Sequence, residues 1–431
     1  MLKKLVGYDS TTMNVRTEFI AGLTTFLTMC YILAVNPQVL GTTGMDKGAV
    51  FTATALVSAF ATILLAVCAK LPFAQAPAMG LNAFFAFTLC QAMGFTWEAA
   101  LTAVFVEGII FVILTLLNIR DKIVDCIPLN LRYAISVGLG LFIAFIGLKN
   151  GNVIVSDPST FVKLGKFGPV SIVAVTGIVL SAIMMKLHVK GGLFISILAC
   201  TVIGIPFGVT TLPKDFSLIS MPHSLSTTFL KFDFKSLLNP NMLLIVMLMV
   251  FMDMFDTIGT LVGACAQAGM MDSEGKVPHM KEALLSDAVA TTLAGMIGSS
   301  PITTYVESSA GIAEGGRSGL TSVVTGGFFI LSLFLSPLFL LVPGAAISGV
   351  LVCVGVLMMG SVRHIDLSDF SEAMPAFITI IMMPFTYSVA EGISLGLISY
   401  TLINVFAGQF HKVNITLYVL SALFILRYFL Q

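Results

Sequence analysis

The chain has 431 residues, of which 57% are hydrophobic and 10% are charged, and its mean hydropathy is +1.01. Because so few polar residues cannot cover a soluble globule of this length, the composition excludes a soluble globular protein and indicates a polytopic membrane protein. The 22 basic residues balance 22 acidic residues, so the net charge gives no sign of a nucleic-acid partner, and the lipid bilayer is the expected environment.

The N-terminal residues predict the orientation of the chain. Lys3, Lys4 and Arg16 precede the first apolar run, which begins near Ile20. Basic residues close to a membrane span favour the cytoplasmic side. We therefore expect a cytoplasmic N-terminus in a multi-pass protein of the cytoplasmic (inner) membrane.

Apolar runs of about 16 to 24 residues recur along the chain, which is the length needed to cross about 30 Å of hydrocarbon. The first set covers 17–40, 50–69, 72–93, 97–118, 130–148, 168–186 and 191–208. The second set covers 241–268, 281–298, 301–316, 319–342, 344–361, 373–387 and 390–408. A last apolar run over 414–430 is either an interfacial or packed terminal helix or a short span.

The two sets have similar breaks and predict an internal repeat. Pro77 precedes Asn82 by five residues, and Pro301 precedes Glu307 by six. Seven spans per set is an odd number, so tandem copies lie in the membrane with opposite orientations. The sequence therefore predicts an all-α polytopic membrane protein, a transporter with fourteen transmembrane segments in a 7+7 inverted repeat.

Two polar, Pro- and Gly-containing segments, 76–83 and 301–311, interrupt apolar runs in corresponding spans. In lipid, a broken backbone is tolerated only where protein buries it or where it lines a cavity, so the pair predicts a substrate site between the repeats. Asn82 offers an amide that both donates and accepts, and Glu307 offers a carboxylate near the start of a half-helix. For each residue a turn or helix cap is the alternative.

Acidic residues inside spans are the candidates for proton chemistry. Asp253, Asp256, Thr257 and Thr260 follow at i, i+3, i+4 and i+7, so they share one helical stripe. Two carboxylates one turn apart in a low dielectric cannot both ionise cheaply, which predicts a proton-coupled step. The alternative is that they hydrogen-bond to neighbouring helices.

Three more acidic residues have no predicted substrate role. Glu107 lies inside the fourth span and is expected to pair with another polar group of the bundle. Asp287 and Glu391 are placed near the ends of spans.

Three motifs, found at 80–85, 253–260 and 303–308, resemble those of the AzgA-like purine permeases of the nucleobase-ascorbate transporter superfamily, to which uracil permease belongs. The resemblance runs over essentially the whole chain. It implies fourteen spans in two inverted repeats, with short antiparallel strands in spans 3 and 10. It also implies a homodimer.

The same resemblance implies two discontinuous domains. The core domain consists of residues 1–128, with spans 1 to 4, and 236–342, with spans 8 to 11. The gate domain consists of residues 129–235, with spans 5 to 7, and 343–431, with spans 12 to 14 and the C-terminal apolar run.

The site residues are carried over position by position. Asp253, Glu307 and Asn82 match residues that bind the purine or are needed for it, and Asp256 matches a second important aspartate. Thr28 matches more weakly and is expected to face the site from span 1. The candidates for stacking on the base are three aromatic residues, each more often a packing residue than a platform: Tyr305, Phe84 and Phe255.

These features predict proton-coupled uptake of purine bases, hypoxanthine and guanine first and adenine next, by an elevator-type movement. Asp253, Asp256 or Glu307 would carry or sense the proton. No cofactor or metal is expected. The alternatives are a transporter of the same fold for uracil, xanthine or a small anion, an intramembrane aspartyl protease, and a proton channel.

Overall fold

The structure is a computed structural model. It describes residues 5–11, 13–117, 128–212, 217–267, 270 and 277–430. Within those ranges the description leaves out the side chains at 255, 259, 262–264, 266, 267, 390, 423, 427, 429 and 430.

Helices make up most of the described chain. The first half contains α1 (Val15–Met29), α2 (Ile32–Gly41), α3 (Lys47–Cys68), α4 (Met79–Ala83), a π-helix (Phe84–Ala92), α5 (Trp97–Leu116), α6 (Leu129–Asn150), α7 (Pro169–Lys186) and α8 (Gly192–Ile203). The second half contains α9 (Pro240–Gln267), α10 (Met280–Ile297), α11 (Ser308–Ala313), α12 (Gly319–Ser332), α13 (Ser336–Leu340), α14 (Gly344–Met358), α15 (Phe370–Phe385), α16 (Val389–Phe406) and α17 (Ile415–Leu430).

Polar residues at the helix starts fix where several of these helices begin. The Asp46 carboxylate accepts a hydrogen bond from the backbone N–H of Ala49 at 2.7 Å and caps α3. The Thr96 hydroxyl accepts one from Ala99 at 3.3 Å and caps α5. These caps satisfy donors that the first turn of a helix leaves free.

Eight helices of the described chain are long and apolar enough to cross a membrane, counting 15–41 as one, and five shorter apolar helices accompany them. The protein is therefore a mostly helical, multi-pass membrane protein. The C-terminal apolar run forms α17, which packs against α16. The two helices are joined by a hydrogen bond between Thr401 Oγ1 and Ser421 Oγ, 2.7 Å apart.

Two very short strands form an antiparallel pair in the interior. Strand β1 (Gln75–Pro77) pairs antiparallel with β4 (Ile302–Thr304), with Ala76 opposite Thr303. A second pair, β2 (Ile154–Asp157) and β3 (Phe161–Leu164), forms a partly exposed hairpin after α6. Because β1 and β4 are buried, their pairing satisfies backbone groups that water cannot reach.

The helices pack most extensively within two groups. One group joins α1, α3, α5, α9, α10 and α12, and it encloses the paired strands β1 and β4. The other joins α6, α7, α8, α14, α15, α16 and α17. In the second group Gly140 of α6 and Gly355 of α14 face each other so closely that a Cβ on Gly140 would lie 2.6 Å from the carbonyl oxygen of Gly355. Small residues at this contact allow the two backbones to approach.

Candidate functional site

An open cavity of about 660 Å³ lies between the two helix groups. Its walls come from α1, from the segment after β4 and from the connection between α7 and α8. Its polar lining includes Thr28, Glu307, Ser309, Arg317, His188 and Lys190. A volume of this size is typical of a small-molecule site.

Glu307 is the carboxylate that reaches this cavity. It occupies the N-cap position of α11, yet its side chain makes no capping hydrogen bond. Instead Oε1 accepts a hydrogen bond from the Tyr31 hydroxyl at 2.5 Å. The alternative prediction of a simple helix cap is therefore wrong. A carboxylate has several acceptor positions, so Glu307 keeps acceptor capacity that can face the cavity.

Thr28 lies beside Glu307 on the cavity wall. Its hydroxyl donates mainly within α1, to the carbonyl oxygen of Thr25 at 2.8 Å. The carbonyl oxygen of Glu307 is 3.4 Å away from the same hydroxyl. The hydroxyl oxygen of Thr28 is therefore an acceptor that a bound molecule can use.

The paired strands β1 and β4 hold the segment that carries Glu307 in place. The Tyr305 hydroxyl donates to the carbonyl oxygen of Pro77 at 2.6 Å, and the backbone N–H of Tyr305 donates to Ala74 at 2.9 Å. The backbone N–H of Ala74 in turn donates to the Ser308 hydroxyl at 3.0 Å. Tyr305 is buried and is not among the residues that line the cavity. In this conformation it anchors the strand and does not present its ring to the cavity.

Asn82 lies away from the cavity lining. It is buried in α4, and its side-chain amide donates to Asn36 Oδ1 at 3.1 Å. Asn36 donates in turn to Thr54 at 2.8 Å and to Ser299 at 3.2 Å. The N-cap of α4 is Ala78, so Asn82 is not a cap. It belongs to a polar network that joins several core elements.

The similar spacing from Pro77 and Pro301 suggests that Asn82 and Glu307 are equivalent positions of the two segments. The strand register shows that they are not. Asn82 lies five residues after Pro77, the last residue of β1, whereas Glu307 lies three residues after Thr304, the last residue of β4. Counting from the strands, Gly80 occupies the position of Glu307. Spacing from the two prolines cannot reveal this, because it does not show where each strand ends.

The acidic stripe of α9 points toward α10 and β4. Asp253 is buried; its Oδ2 accepts from the Thr291 hydroxyl at 3.4 Å, and its Oδ1 has no hydrogen-bond partner in the described part of the chain. The Thr257 hydroxyl donates to Asp287 Oδ2 at 2.5 Å and lies 2.8 Å from the Thr303 hydroxyl. These residues therefore lie behind the strand and not on the cavity wall.

Two acidic residues are placed differently from what the sequence predicts. Asp287, expected near a span end, lies seven residues into α10, which begins at Met280; it is buried and accepts a hydrogen bond from the Thr257 hydroxyl. Glu107, expected to have a polar partner, is buried, and within the ranges that the structure describes neither of its carboxylate oxygens has a hydrogen-bond partner. The sequence marks both as ionisable residues within apolar runs, but it does not show what surrounds them.

The remaining candidates divide as follows. Asp256 is half-buried and is the member of the stripe that interacts electrostatically with Glu307 at the cavity. Phe84 is fully buried in the core. The side chain of Phe255 lies outside the described part of the structure.

Sequence reasoning missed Tyr31. It lies at the interruption between α1 and α2, is almost completely buried and donates to the cavity carboxylate. The one available signal was a lone tyrosine within an apolar run, which is more often a packing residue.

Comparison with known proteins identifies relatives along the full chain. The model described as "Permease family" matches residues 16–395. The chain is 41% identical over 428 residues to "Adenine permease AdeP" of Escherichia coli (strain K12), covering 99% of this chain and 96% of that protein. It is 42% identical over 438 residues to "Guanine/hypoxanthine permease PbuG" of Bacillus subtilis (strain 168), covering 99% of each.

Solved structures support the fold. The transmembrane domain of the cyanobacterial bicarbonate transporter BicA superposes with a TM-score of 0.66 at 15% identity, covering 89% of this chain and 97% of that chain. At this identity the likeness shows the fold alone.

The relatives include adenine and guanine/hypoxanthine permeases, so the resemblance predicted from the three motifs is confirmed. A family match over most of the chain and relatives at 41–42% identity along its length show that this transporter, which is not an enzyme, belongs to the permease family.

Proposed function

We propose that this protein takes up purine nucleobases, hypoxanthine and guanine first and adenine next, across the cytoplasmic membrane in a proton-coupled step. The observation that carries the proposal is the cavity of about 660 Å³ whose wall contains the Glu307 carboxylate, oriented by Tyr31. Relatives at 41–42% identity named as adenine and guanine/hypoxanthine permeases support the substrate class.

The chemistry of the cavity suits a neutral, flat base. Purines carry ring and exocyclic N–H groups, and Glu307 and Thr28 offer acceptors for them. The cations at the cavity are engaged elsewhere: Lys190 pairs with Glu314 at 2.7 Å, and Arg317 donates to the carbonyl oxygen of Ile312 at 2.6 Å. This arrangement favours a purine over the small anion considered as an alternative.

Asn82, Asp253, Tyr305 and Phe84 stay as predicted binding residues on the strength of the resemblance. In the conformation described here they are buried and outside the cavity lining. Direct contact with the base would therefore require a rearrangement. Asp253, Asp256 and Glu307 stay as the predicted proton-coupling residues.

The proposed movement is an elevator in which a core domain, 1–128 with 236–342, moves past a gate domain, 129–235 with 343–431. Support comes from the cavity, which has Glu307 and Thr28 on one wall and the 184–193 connection and Leu357 on the other. The proposal includes fourteen spans in a 7+7 inverted repeat, a cytoplasmic N-terminus and a homodimer.

Uptake of radiolabelled hypoxanthine, guanine and adenine by cells that lack their own purine permeases tests the proposal. Expression of this chain is expected to restore uptake, and a protonophore is expected to abolish it. Competition by unlabelled uracil that equals competition by hypoxanthine would contradict the purine assignment. Equal competition by unlabelled xanthine would contradict the proposed preference for hypoxanthine, guanine and adenine. Uptake that ignores the protonophore would contradict proton coupling.

Glu307→Gln is the decisive variant. Gln keeps the shape of Glu but removes the carboxylate, and the loss of a hydrogen bond to a charged group costs about 1.5 to 3 kcal/mol, roughly 10- to 150-fold in affinity. We expect loss of uptake with normal amounts of protein in the membrane. Glu314→Gln, a nearby and more exposed carboxylate, is the matched control and should keep uptake.

A further inference from the structure

Three buried carboxylates meet behind strand β4. Glu107 of α5, Asp253 of α9 and Asp287 of α10 are all fully buried. Helix α5 packs against both α9 and α10, and α9 packs against α10, so the three side chains lie within electrostatic reach of one another. These three residues, called here the carboxylate cluster, come from two consecutive helices, α9 and α10, and from α5, which lies far from them in sequence.

Close helix packing fixes the position of Glu107. A Cβ on the neighbouring Gly108 would lie 2.5 Å from the backbone nitrogen of Thr292, and one on Gly295 would lie 2.7 Å from that of Phe105. Backbones this close leave α5 and α10 little freedom to slide or rotate. Glu107 is therefore held within the interior and cannot turn out to water.

Hydrogen-bond donors around the cluster are too few. Thr257 donates to one oxygen of Asp287 at 2.5 Å, and Thr291 donates to one oxygen of Asp253 at 3.4 Å. The remaining four oxygens, both of Glu107 and Oδ1 of each aspartate, have no hydrogen-bond partner among the described residues. Among the described residues no Lys, Arg or His forms an ion pair with any of the three.

Three ionised carboxylates are not stable in this environment. Burying one such ion costs several kcal/mol even after relaxation, and like charges at close range add to that cost. Carboxyl groups in this situation keep protons and share them as a group. Each retained proton also turns an acceptor into an O–H donor, which is what the four unpartnered oxygens lack.

We propose that Glu107, Asp253 and Asp287 form a buried proton-binding site, in which acid protons are shared among the three side chains. Protons fit better than a metal ion, because no group of His, Cys, Asp or Glu in the described chain has an arrangement that could hold one. The role of these protons in uptake rests on the proposed function, whereas their presence does not.

Asp256 is the charged group that connects this site to its surroundings. Other titratable residues on the elements packed against the cluster are Lys47, Cys68, Cys90, Glu98, Lys235, Cys265, Lys281 and Glu282. Among the described residues outside the cluster, Asp256 is the one that interacts electrostatically with both of its aspartates. It also interacts with Glu307 at the cavity.

Strand β4 gives a second connection to the cavity. Thr257 contacts the Thr303 hydroxyl at 2.8 Å, and Thr291 accepts from the backbone N–H of Ile302 at 3.0 Å. Glu307 follows three residues after this strand. A change in the charge of the cluster therefore acts on the hydroxyls that hold the strand.

Infrared difference spectroscopy of the purified protein in H₂O and D₂O tests the site directly, because protonated carboxylic acids have a carbonyl band separate from that of carboxylates. At pH 7 we expect such a band in the wild type and a weaker one in Glu107→Gln. Glu98→Gln, on the same helix but in its first turn, should leave the band unchanged. Asp287→Asn provides a second variant should Glu107→Gln fail to fold.

A wild-type protein with no protonated carboxyl band at pH 7 would overturn the proposal. An unchanged band in both folded cluster variants would also overturn it. A band that disappears when sodium replaces potassium would do the same, because the carboxylates would then bind the cation in place of protons. The spectrum is read without transport, so failure of the purine assignment leaves it intact.

The pH profile of uptake tests the coupling. With one carboxylate fewer, the cluster has less like charge to favour proton retention, so the pH at which uptake falls to half should move to more acidic values by about one unit. An unchanged profile in Glu107→Gln and Asp287→Asn would contradict the coupling while leaving the infrared result valid.

Discussion

The two broken segments begin alike and serve different purposes. After β1, the chain enters the fully buried α4, where Asn82 donates a hydrogen bond to Asn36 of α2. After β4, the chain opens onto the cavity, where Glu307 bonds to Tyr31 and keeps acceptor capacity. The difference indicates that a Pro- and Gly-broken segment can be either a structural junction or a binding surface, depending on what lies against it.

The largest expected effect comes from Gly311, the last residue of the second segment. A Cβ on Gly311 would lie 2.0 Å from Thr25 Oγ1 and 2.6 Å from the Ala21 carbonyl oxygen, so Gly311→Ala should displace α11 from α1. Overpacking of this kind costs about 1 to 3 kcal/mol. We expect a clear loss of folded protein in thermal unfolding measured in detergent.

Gly80→Ala is the matched control for that variant. Its Cβ would meet only the flexible end of Leu139, at 3.3 Å. Equal destabilisation by the two substitutions would show that both segments are packed alike, against the comparison drawn above.

Tyr31→Phe tests whether the second segment is a binding surface. The substitution removes the hydrogen bond to Glu307 and keeps the ring, so we expect about a tenfold rise in the KM for purine uptake. Tyr305→Phe removes a hydroxyl bonded to the Pro77 carbonyl oxygen and not to the cavity carboxylate. Tyr305→Phe should lower thermal stability and change KM less than Tyr31→Phe does. A larger change of KM in Tyr305→Phe than in Tyr31→Phe would place the binding surface at the paired strands β1 and β4.

Asn82→Ala tests whether the first segment is a junction. The variant removes a donor to Asn36, but the Ser300 hydroxyl still donates to the same oxygen at 3.3 Å. The cost should therefore be about 1 kcal/mol of stability, with KM unchanged. A raised KM at normal thermal stability would instead support direct binding of the base by Asn82, as the family resemblance implies.

The smallest effect is expected at the edge of the cavity. Lys190 and Glu314 form an ion pair at 2.7 Å with side chains 53% and 32% exposed, and such pairs contribute about 0 to 1 kcal/mol. Lys190→Met should change uptake by less than about fivefold at physiological salt. A larger effect would extend the binding surface to the α7–α8 connection.

Apolar length and motif order in the sequence were enough to predict a polytopic membrane protein, its family and the two broken segments. Burial in lipid imposes long apolar runs, and these are visible without a structure. Glu307 was predicted for the same reason, since a carboxylate beside a break in an apolar run is costly unless it has a use.

Tertiary structure alone decided which polar residues meet. Tyr31 bonds to Glu307 across 276 positions in the sequence, and Thr257 bonds to Asp287 because α9 and α10 pack side by side. The separation of Asn82 from the cavity and the meeting of Glu107 with two aspartates depend on helix packing in the same way. Spacing along one helix fixes which side chains share a face, but it carries no information about which helix that face will meet.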